Sequence, residues 1–125
     1  MKRKSAKDNG YLPHRRGQRG EALAIAHFEE LGFSVVKKNY RYRRSEVDLI
    51  VRQTNTLVFV EVKLRKNAEY GHPESFVDVS QADRIVAAAD HYVHETNWEG
   101  MIRFDVVAIT LHPKLTVTHF EDAFY

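Results

Sequence analysis

The spacing of apolar and polar residues predicts seven elements in the order α-β-β-β-α-β-β. Apolar residues recur at helical spacing over about 18–31 and again over about 80–95, where Ser80 is placed to cap the second helix. Short apolar and β-branched runs predict five strands, over residues 33–40, 47–51, 58–63, 103–110 and 115–120. A meander of three strands followed by a helical crossover predicts an α/β fold with a mixed central β-sheet flanked by helices.

Two of these strands hold charged residues among apolar ones. The second strand contains Asp48, and the third contains Glu61 and Lys63. The polar stretch between the strands predicts a hairpin, and a turn at Thr54-Asn55 pairs the residues whose numbers sum to 109. This register puts Asp48 opposite Glu61 and places Lys63 on the same face, whereas a slip of one residue would separate the three groups.

The other positions of the hairpin indicate a strand pair covered on both faces. Val47, Leu49 and Val51 are predicted to share the face opposite Asp48, while Ile50 and Phe59 lie on the same face as Asp48. A solvated sheet face that carries three charged side chains is the simpler alternative. Buried charges are costly unless they pair or bind a metal, so the pattern favours a site that holds a cation.

Composition limits the class of protein. The chain has 125 residues and no cysteine, which excludes disulfides and thiolate zinc sites. No apolar stretch resembles a signal peptide or a membrane span, so a soluble, cytoplasmic protein without a membrane partner is expected. Residues 1–14 are predicted to form a flexible basic arm, residues 15–125 a single domain, and residues 64–78 a loop within that domain.

Charge is distributed unevenly along the chain. Residues 1–44 contain 12 Lys or Arg and 4 Asp or Glu, whereas residues 45–125 contain 7 and 13. Basic residues surround Tyr40 and Tyr42 just before the Asp48 strand, a pattern that suits phosphate contacts and stacking of bases or sugars. A solubilising surface is the alternative, but the position beside the carboxylates favours nucleic acid. The candidate nucleic-acid-binding residues are Arg19, Lys38, Arg41, Arg43, Arg44 and Arg65.

The order strand-Asp-turn-strand-Glu-X-Lys, preceded by a helical Glu, resembles the active-site pattern of the PD-(D/E)XK nuclease superfamily. A closer resemblance, to the YraN-like family of predicted endonucleases that are similar to Holliday-junction resolvases, runs from about residue 16 to residue 124. The segments that carry it are GEALA at 20–24, SEVDLI at 45–50, FVEVKLR at 59–65, YGHPES at 70–75, RFDVVAI at 103–109 and HFEDAF at 119–124. The resemblance implies a restriction-endonuclease-like core.

The resemblance also implies roles for individual residues. It makes Asp48 and Glu61 metal ligands, together with the backbone carbonyl of Val62, and Lys63 the catalytic lysine. Glu21 matches the upstream acidic position of the superfamily, although a carboxylate in the first turn of a helix is also favoured by the helix dipole. Glu46 and Gln81 are possible accessory residues. Gln81 stands where the family usually has Lys, and Ser45 stands where it usually has Gly.

These features predict a metal-dependent nuclease that hydrolyses phosphodiester bonds, in DNA and with selectivity for structure rather than base sequence. Carboxylate oxygens suit Mg²⁺ or Mn²⁺, which would polarise the scissile phosphate. A homodimer would suit an enzyme that cuts both strands, although no stretch of sequence predicts a dimer surface. Two alternatives remain, a nucleic-acid-binding module with a nuclease fold but no turnover, and an adaptor that contacts a protein partner.

Overall fold

The computed structural model describes residues 11–67 and 77–125, with side chains from residue 18 onward. It contains two helices, α1 (Tyr11–Glu30) and α2 (Val79–Thr96). The described strands are β1 (Ser34–Tyr42), β2 (Ser45–Gln53), β3 (Thr56–Asn67), β4 (Met101–His112) and β5 (Thr116–Phe120). The predicted element order is therefore confirmed for this part of the chain.

The strands form one sheet in the order β1-β2-β3-β4-β5, in which only the β3–β4 pair is parallel among the four described pairs. The parallel pair requires a crossover connection, and α2 lies within it. The β2–β3 hairpin has the predicted register, because Leu49 pairs with Val60 and Ile50 with Phe59. The structure thus has an α/β fold with a mixed sheet flanked by helices.

Both faces of the sheet are covered, and a buried cluster lies on each. The α2-side cluster consists of Val47, Ile50, Leu57, Phe59, Ile85, Ala88, Ala89, Tyr92 and Phe104. The α1-side cluster consists of Ala24, Phe28, Leu49, Val51, Val58, Val60, Val107 and Ile109. Complete burial of a large apolar side chain stabilises the fold by about 1.5–3 kcal/mol, so these clusters hold both helices on the inner strands β2, β3 and β4.

The face predicted for Val47 is wrong. Val47 packs in the α2-side cluster with Ile50, whereas Leu49 and Val51 pack in the α1-side cluster. The strand therefore departs from strict alternation around Asp48. This departure occurs where β2 leaves its ladder with β3, since the recorded β2–β3 pairs end at Leu49–Val60.

Several element boundaries also differ from the prediction. α1 begins at Tyr11 instead of about Gln18, because Pro13 falls in the first helical turn, where its missing N–H costs nothing. The cap of α2 is Asp78 rather than Ser80, and the Asp78 side chain accepts a hydrogen bond from the Gln81 amide. β3 extends to Asn67, so residues 64–67 are strand instead of loop. Residues 68–76 of the predicted loop and residues 1–10 of the predicted arm lie outside the described residues.

Candidate active site

The candidate site forms where β2 and β3 separate. Past the Leu49–Val60 pair, the Asp48 carboxylate takes the place of a backbone acceptor, and its Oδ2 accepts a hydrogen bond of 2.7 Å from the Val62 amide. This bond fixes the carboxylate between the two strands. The separation of the strands leaves room at this point for side chains from both helices.

Glu61 and Lys63 lie on β3 near Asp48, although the predicted direct pair of Asp48 with Glu61 is not formed, because the β2–β3 ladder ends at Leu49–Val60. The Glu61 side chain is only 9 % exposed, and its Oε2 lies 3.0 Å from the Lys63 ammonium nitrogen. Gln81 of α2 bridges the pair, because its Nε2 donates to Glu61 Oε2 at 2.7 Å and its Oε1 accepts from Lys63 Nζ at 3.3 Å. The amide of Gln81 therefore holds the lysine and the glutamate in one arrangement.

The electrostatics of Asp48 are unusual for an aspartate. Burial, the neighbouring Glu61 carboxylate and a hydrogen bond to Glu61 raise the pKa of Asp48 to about 8, while the Val62 amide acts in the opposite direction. Glu46 adds a further negative charge. Two carboxyl groups this close cannot both ionise easily, and a bound cation would relieve the repulsion.

A cleft of about 680 Å³ opens on the α1 side of Asp48. Glu21 lies on its wall with Glu46 and Asp48, so the structure brings the upstream glutamate to the same cleft as the hairpin carboxylates. The described lining residues are Gln18, Gly20, Glu21, Lys38, Asn39, Arg41, Glu46, Asp48, Val62 and Leu64. The cleft thus has an acidic floor and basic groups on β1.

A smaller cleft of about 190 Å³ lies on the α2 side of the same carboxylates. Arg44 and Arg84 line it together with Asp48, Glu61 and Gln81. Arg84 was not predicted as a site residue, although its position one helical turn after Gln81 would have indicated it.

The other basic residues that were predicted to bind nucleic acid differ in how far they are exposed. Arg19 and Arg43 are exposed, and Arg43 lies over the Tyr42 ring at 5.1 Å from the ring centre. Arg65 is only 8 % exposed, so its guanidinium lies in the protein interior rather than on the cleft surface.

The fit of a metal ion can be judged from the donors present. Within the described residues, no group of three or more His, Cys, Asp or Glu side chains lies close enough to enclose a metal. Mg²⁺ commonly binds through one or two carboxylates and keeps several waters, so Asp48, Glu61 and the Val62 carbonyl make a donor set that suits it. Burial and the Glu61 charge raise the pKa of Asp48, and a cation bound beside Asp48 would lower it again.

Fold and site together define an α/β protein whose central hairpin carries two apposed carboxylates and a lysine. Among the described residues, neither helix combines the length and the apolar character required to cross a membrane. The family model of Uncharacterised protein family UPF0102 matches residues 20–109. The chain belongs to this family, and the predicted YraN-like membership is confirmed at that level.

Curated relatives support the assignment over nearly the whole chain. A UPF0102 protein of Christiangramia forsetii is 38% identical over 110 residues, which cover 87% of this chain and 92% of the relative. A UPF0102 protein of Cytophaga hutchinsonii is 44% identical over 95 residues, covering 76% and 84%. A UPF0102 protein of Chlorobium limicola is 39% identical over 121 residues, covering 90% and 94%.

Proposed function

We propose that this protein is a metal-dependent nuclease with a PD-(D/E)XK-type core that hydrolyses phosphodiester bonds in DNA. The observation that carries the proposal is the apposition of Asp48 and Glu61, with Lys63 3.0 Å from Glu61. Burial and the adjacent Glu61 carboxylate raise the pKa of Asp48, a bound cation would favour its ionised form, and perturbed groups of this kind are typical of functional sites.

Each residue of the cluster has a part in the proposed reaction. Mg²⁺ or Mn²⁺, held by Asp48, Glu61 and the Val62 carbonyl, would supply Lewis-acid activation of the scissile phosphate. Lys63 orients the attacking water and stabilises the negative charge that develops on the phosphate. Gln81 keeps the Lys63 ammonium and the Glu61 carboxylate in register, as its two hydrogen bonds indicate.

The surroundings of the cluster suit a polyanion. Lys38 and Arg41 on one cleft, with Arg44 and Arg84 on the other, give phosphate contacts on both sides of the acidic pair. None of these groups is arranged for reading base edges, so we expect binding that depends on backbone shape and on salt concentration.

Cleavage assays with single-site variants test the proposal. Purified protein is incubated with branched, flapped, single-stranded and duplex DNA, with Mg²⁺, with Mn²⁺ or with a chelator. Asp48→Asn, Glu61→Gln and Lys63→Met should each lower the metal-dependent rate by about 10²–10³-fold, because each removes a group from the centre of charge development.

Matched controls exclude a contaminating nuclease. Lys66→Met changes an exposed lysine of the same strand, and Glu99→Gln changes an exposed carboxylate outside the clefts. Both should cleave like the wild type. Salt-sensitive binding without any metal-dependent cleavage would instead identify a binding module, and equal cleavage by all variants would contradict the proposed site.

A further inference from the structure

A stack of planar side chains lies beside the smaller cleft and has no part in the proposed hydrolysis. The Tyr42 ring stacks on the His91 ring with centres 4.0 Å apart and planes inclined by 14°. The Arg43 guanidinium lies over the same phenol ring at 5.1 Å from its centre. Tyr40 is nearly parallel to His91, at 6.4 Å and 24°. Residues of β1, of the turn after it and of α2 therefore form one group of neighbouring planar side chains, which we call the Tyr42 stack.

The outer member of this stack lies on a strained turn between β1 and β2. Arg43 has a φ of 58°, in the left-handed region that non-glycine residues seldom adopt, so glycine would fit the turn with less strain. This strain lies in the backbone and does not fix the Arg43 side chain. The Arg43 side chain is exposed, whereas Tyr42 and His91 are only partly buried. A flat ligand can therefore reach the phenol ring when the arginine side chain moves aside.

The Tyr42 stack continues the line of the smaller cleft. Gln81, Arg84 and His91 lie on one side of α2, and the 10 residues from Gln81 to His91 span roughly 15 Å of helix. Gln81 donates a hydrogen bond to Glu61 of the acidic pair, Arg84 lines the smaller cleft, and the His91 ring stacks on the Tyr42 ring. On the opposite wall, Arg44 directly follows Arg43 in the chain. The acidic pair, the two arginines and the Tyr42 stack thus follow one another along the groove between α2 and the β1–β2 hairpin, which we call the seam.

We infer that this seam binds an unpaired nucleic-acid strand, with phosphate on Arg44 and Arg84 and a base stacked at Tyr42. The inference deepens the proposed function and rests on it for the position of the scissile bond. In a duplex, each base face is covered by its neighbours, so only an unpaired or displaced base can stack on a protein ring. The substrate class is therefore DNA with a single-stranded segment next to the cleavage point, such as a flap or a branch.

Binding to short labelled oligonucleotides tests the inference without any contribution from cleavage, because a chelator is present throughout. Tyr42→Leu should weaken binding of an oligothymidylate by about tenfold, the usual effect of losing one stacked base. Tyr42→Phe should bind like the wild type. Trp98→Leu is the matched control. The Arg52 guanidinium lies over the Trp98 ring at 4.8 Å from its centre, as Arg43 does over Tyr42, but this pair lies beside the β2–β3 hairpin and away from the clefts.

Salt dependence separates stacking from phosphate contacts. Tyr42→Leu should keep the wild-type slope of log affinity against log salt, whereas Arg44→Gln and Arg84→Gln should each reduce the slope by about 0.7. An oligonucleotide that contains iodouracil should photocross-link to Tyr42, as mapped by mass spectrometry, and the cross-link should vanish in Tyr42→Leu. Melting curves of each variant verify that the fold is retained, and if Tyr42→Leu is unstable, absence of the cross-link to Tyr42 in the wild type still overturns the stacking site.

The outcomes distinguish this inference from the proposed function. Binding that depends on Tyr42 supports the stacking site even if the wild type never cleaves DNA, and the nuclease proposal alone would then fail. Cleavage that depends on Asp48, together with equal binding by wild type and Tyr42→Leu, overturns the stacking site and leaves the nuclease proposal intact. Failure of the wild type to bind single strands at low salt also overturns the inference and favours a protein partner for the seam.

Discussion

Two buried aspartates of this protein have opposite surroundings. Asp105 is fully buried, yet its carboxylate accepts two hydrogen bonds of 2.9 Å from Arg103 and one of 2.6 Å from His119. These bonds, with the Asp122 amide and the arginine charge, hold the pKa of Asp105 below its usual range although burial acts to raise it. Asp48 faces another carboxylate instead, and its pKa rises to about 8. The first residue has partners that stabilise its charge within the fold, whereas the second lacks such partners and is the residue for which we propose a role in cation binding.

Substitution should separate the two roles. Asp105→Ala should lower the free energy of unfolding by about 3–5 kcal/mol, because it leaves the Arg103 guanidinium without its buried partner. Asp48→Asn should raise it by at least about 1 kcal/mol at pH 9 in a chelator, since a carboxyl whose pKa is raised by folding destabilises the fold progressively as the pH rises from the unfolded pKa of 3.8 to about 8, and in full above it. Urea unfolding measures both quantities. A loss of stability in Asp48→Asn as large as that in Asp105→Ala would contradict this distinction.

At the level of elements, two glycines in and after α1 differ in whether the fold requires them. Gly20 lies in the helix interior, and a Cβ there would meet Val62, Leu64 and Ile109 at 3.7–3.8 Å, which is ordinary contact. Gly32 follows the helix with a φ of 93°, and a Cβ there would come within 2.8 Å of the Gln53 side chain. The same residue type is therefore dispensable at one position and required at the other.

Alanine substitutions should show this difference. Gly20→Ala should stabilise the protein by about 0.5–1 kcal/mol, because glycine is that much less favourable than alanine inside a helix. Gly32→Ala should destabilise it, by on the order of 1 kcal/mol, because an L side chain is strained at positive φ. Thermal or urea unfolding compares both variants with the wild type. Destabilisation by Gly20→Ala would mean that α1 packs more tightly on β3 than these distances indicate.

The sequence predicted the elements and the central hairpin well, for a physical reason. The alternation of side chains along β2 and β3 and the short polar turn between them favour a single register of this hairpin. The proximity of Asp48 and Glu61 could therefore be predicted from the local sequence pattern. The face of Val47 could not be predicted in this way, because the irregularity at Asp48 arises where β2 leaves β3. The cap at Asp78 was missed because Ser80, two residues on, is an equally good capping type. The positions of Arg84 and His91 could not be predicted in this way either, because they depend on how α2 crosses the sheet.

Across the whole molecule, a polar network joins elements that are far apart in sequence. His27 of α1 lies 3.0 Å from His119 of β5, and His119 contacts Asp105 of β4. His27 and His119 are separated by 92 residues, so no local pattern could have indicated their contact. With the His119 Nε2 proton donated to Asp105, the His119 Nδ1 accepts from a neutral His27. Only one proton can lie between His27 Nε2 and His119 Nδ1, so the two rings cannot both become imidazolium ions while this contact is kept.

This arrangement predicts a pH dependence of stability. Burial, and then the neighbouring His119, lower the pKa of His27 below 6.5, while Glu30 partly opposes the shift. As the pH falls below 6.5, the unfolded chain takes up a proton at His27 before the folded protein does, so stability declines. His27→Gln removes this titration and should lose less stability than the wild type between about pH 7.5 and pH 5.

Urea unfolding at several pH values measures the effect. His94→Gln is the matched control, because the His94 side chain is 76% exposed and should follow the wild type. Asp105 does not interfere, since its lowered pKa places its own loss of stability below pH 3.8. The titration of Asp48 changes the free energy of unfolding equally in the wild type and in His27→Gln, so it does not affect the difference between the two proteins. Parallel curves for His27→Gln and wild type would show that the contact between α1 and β5 tolerates a second proton, and that the network acts only through packing.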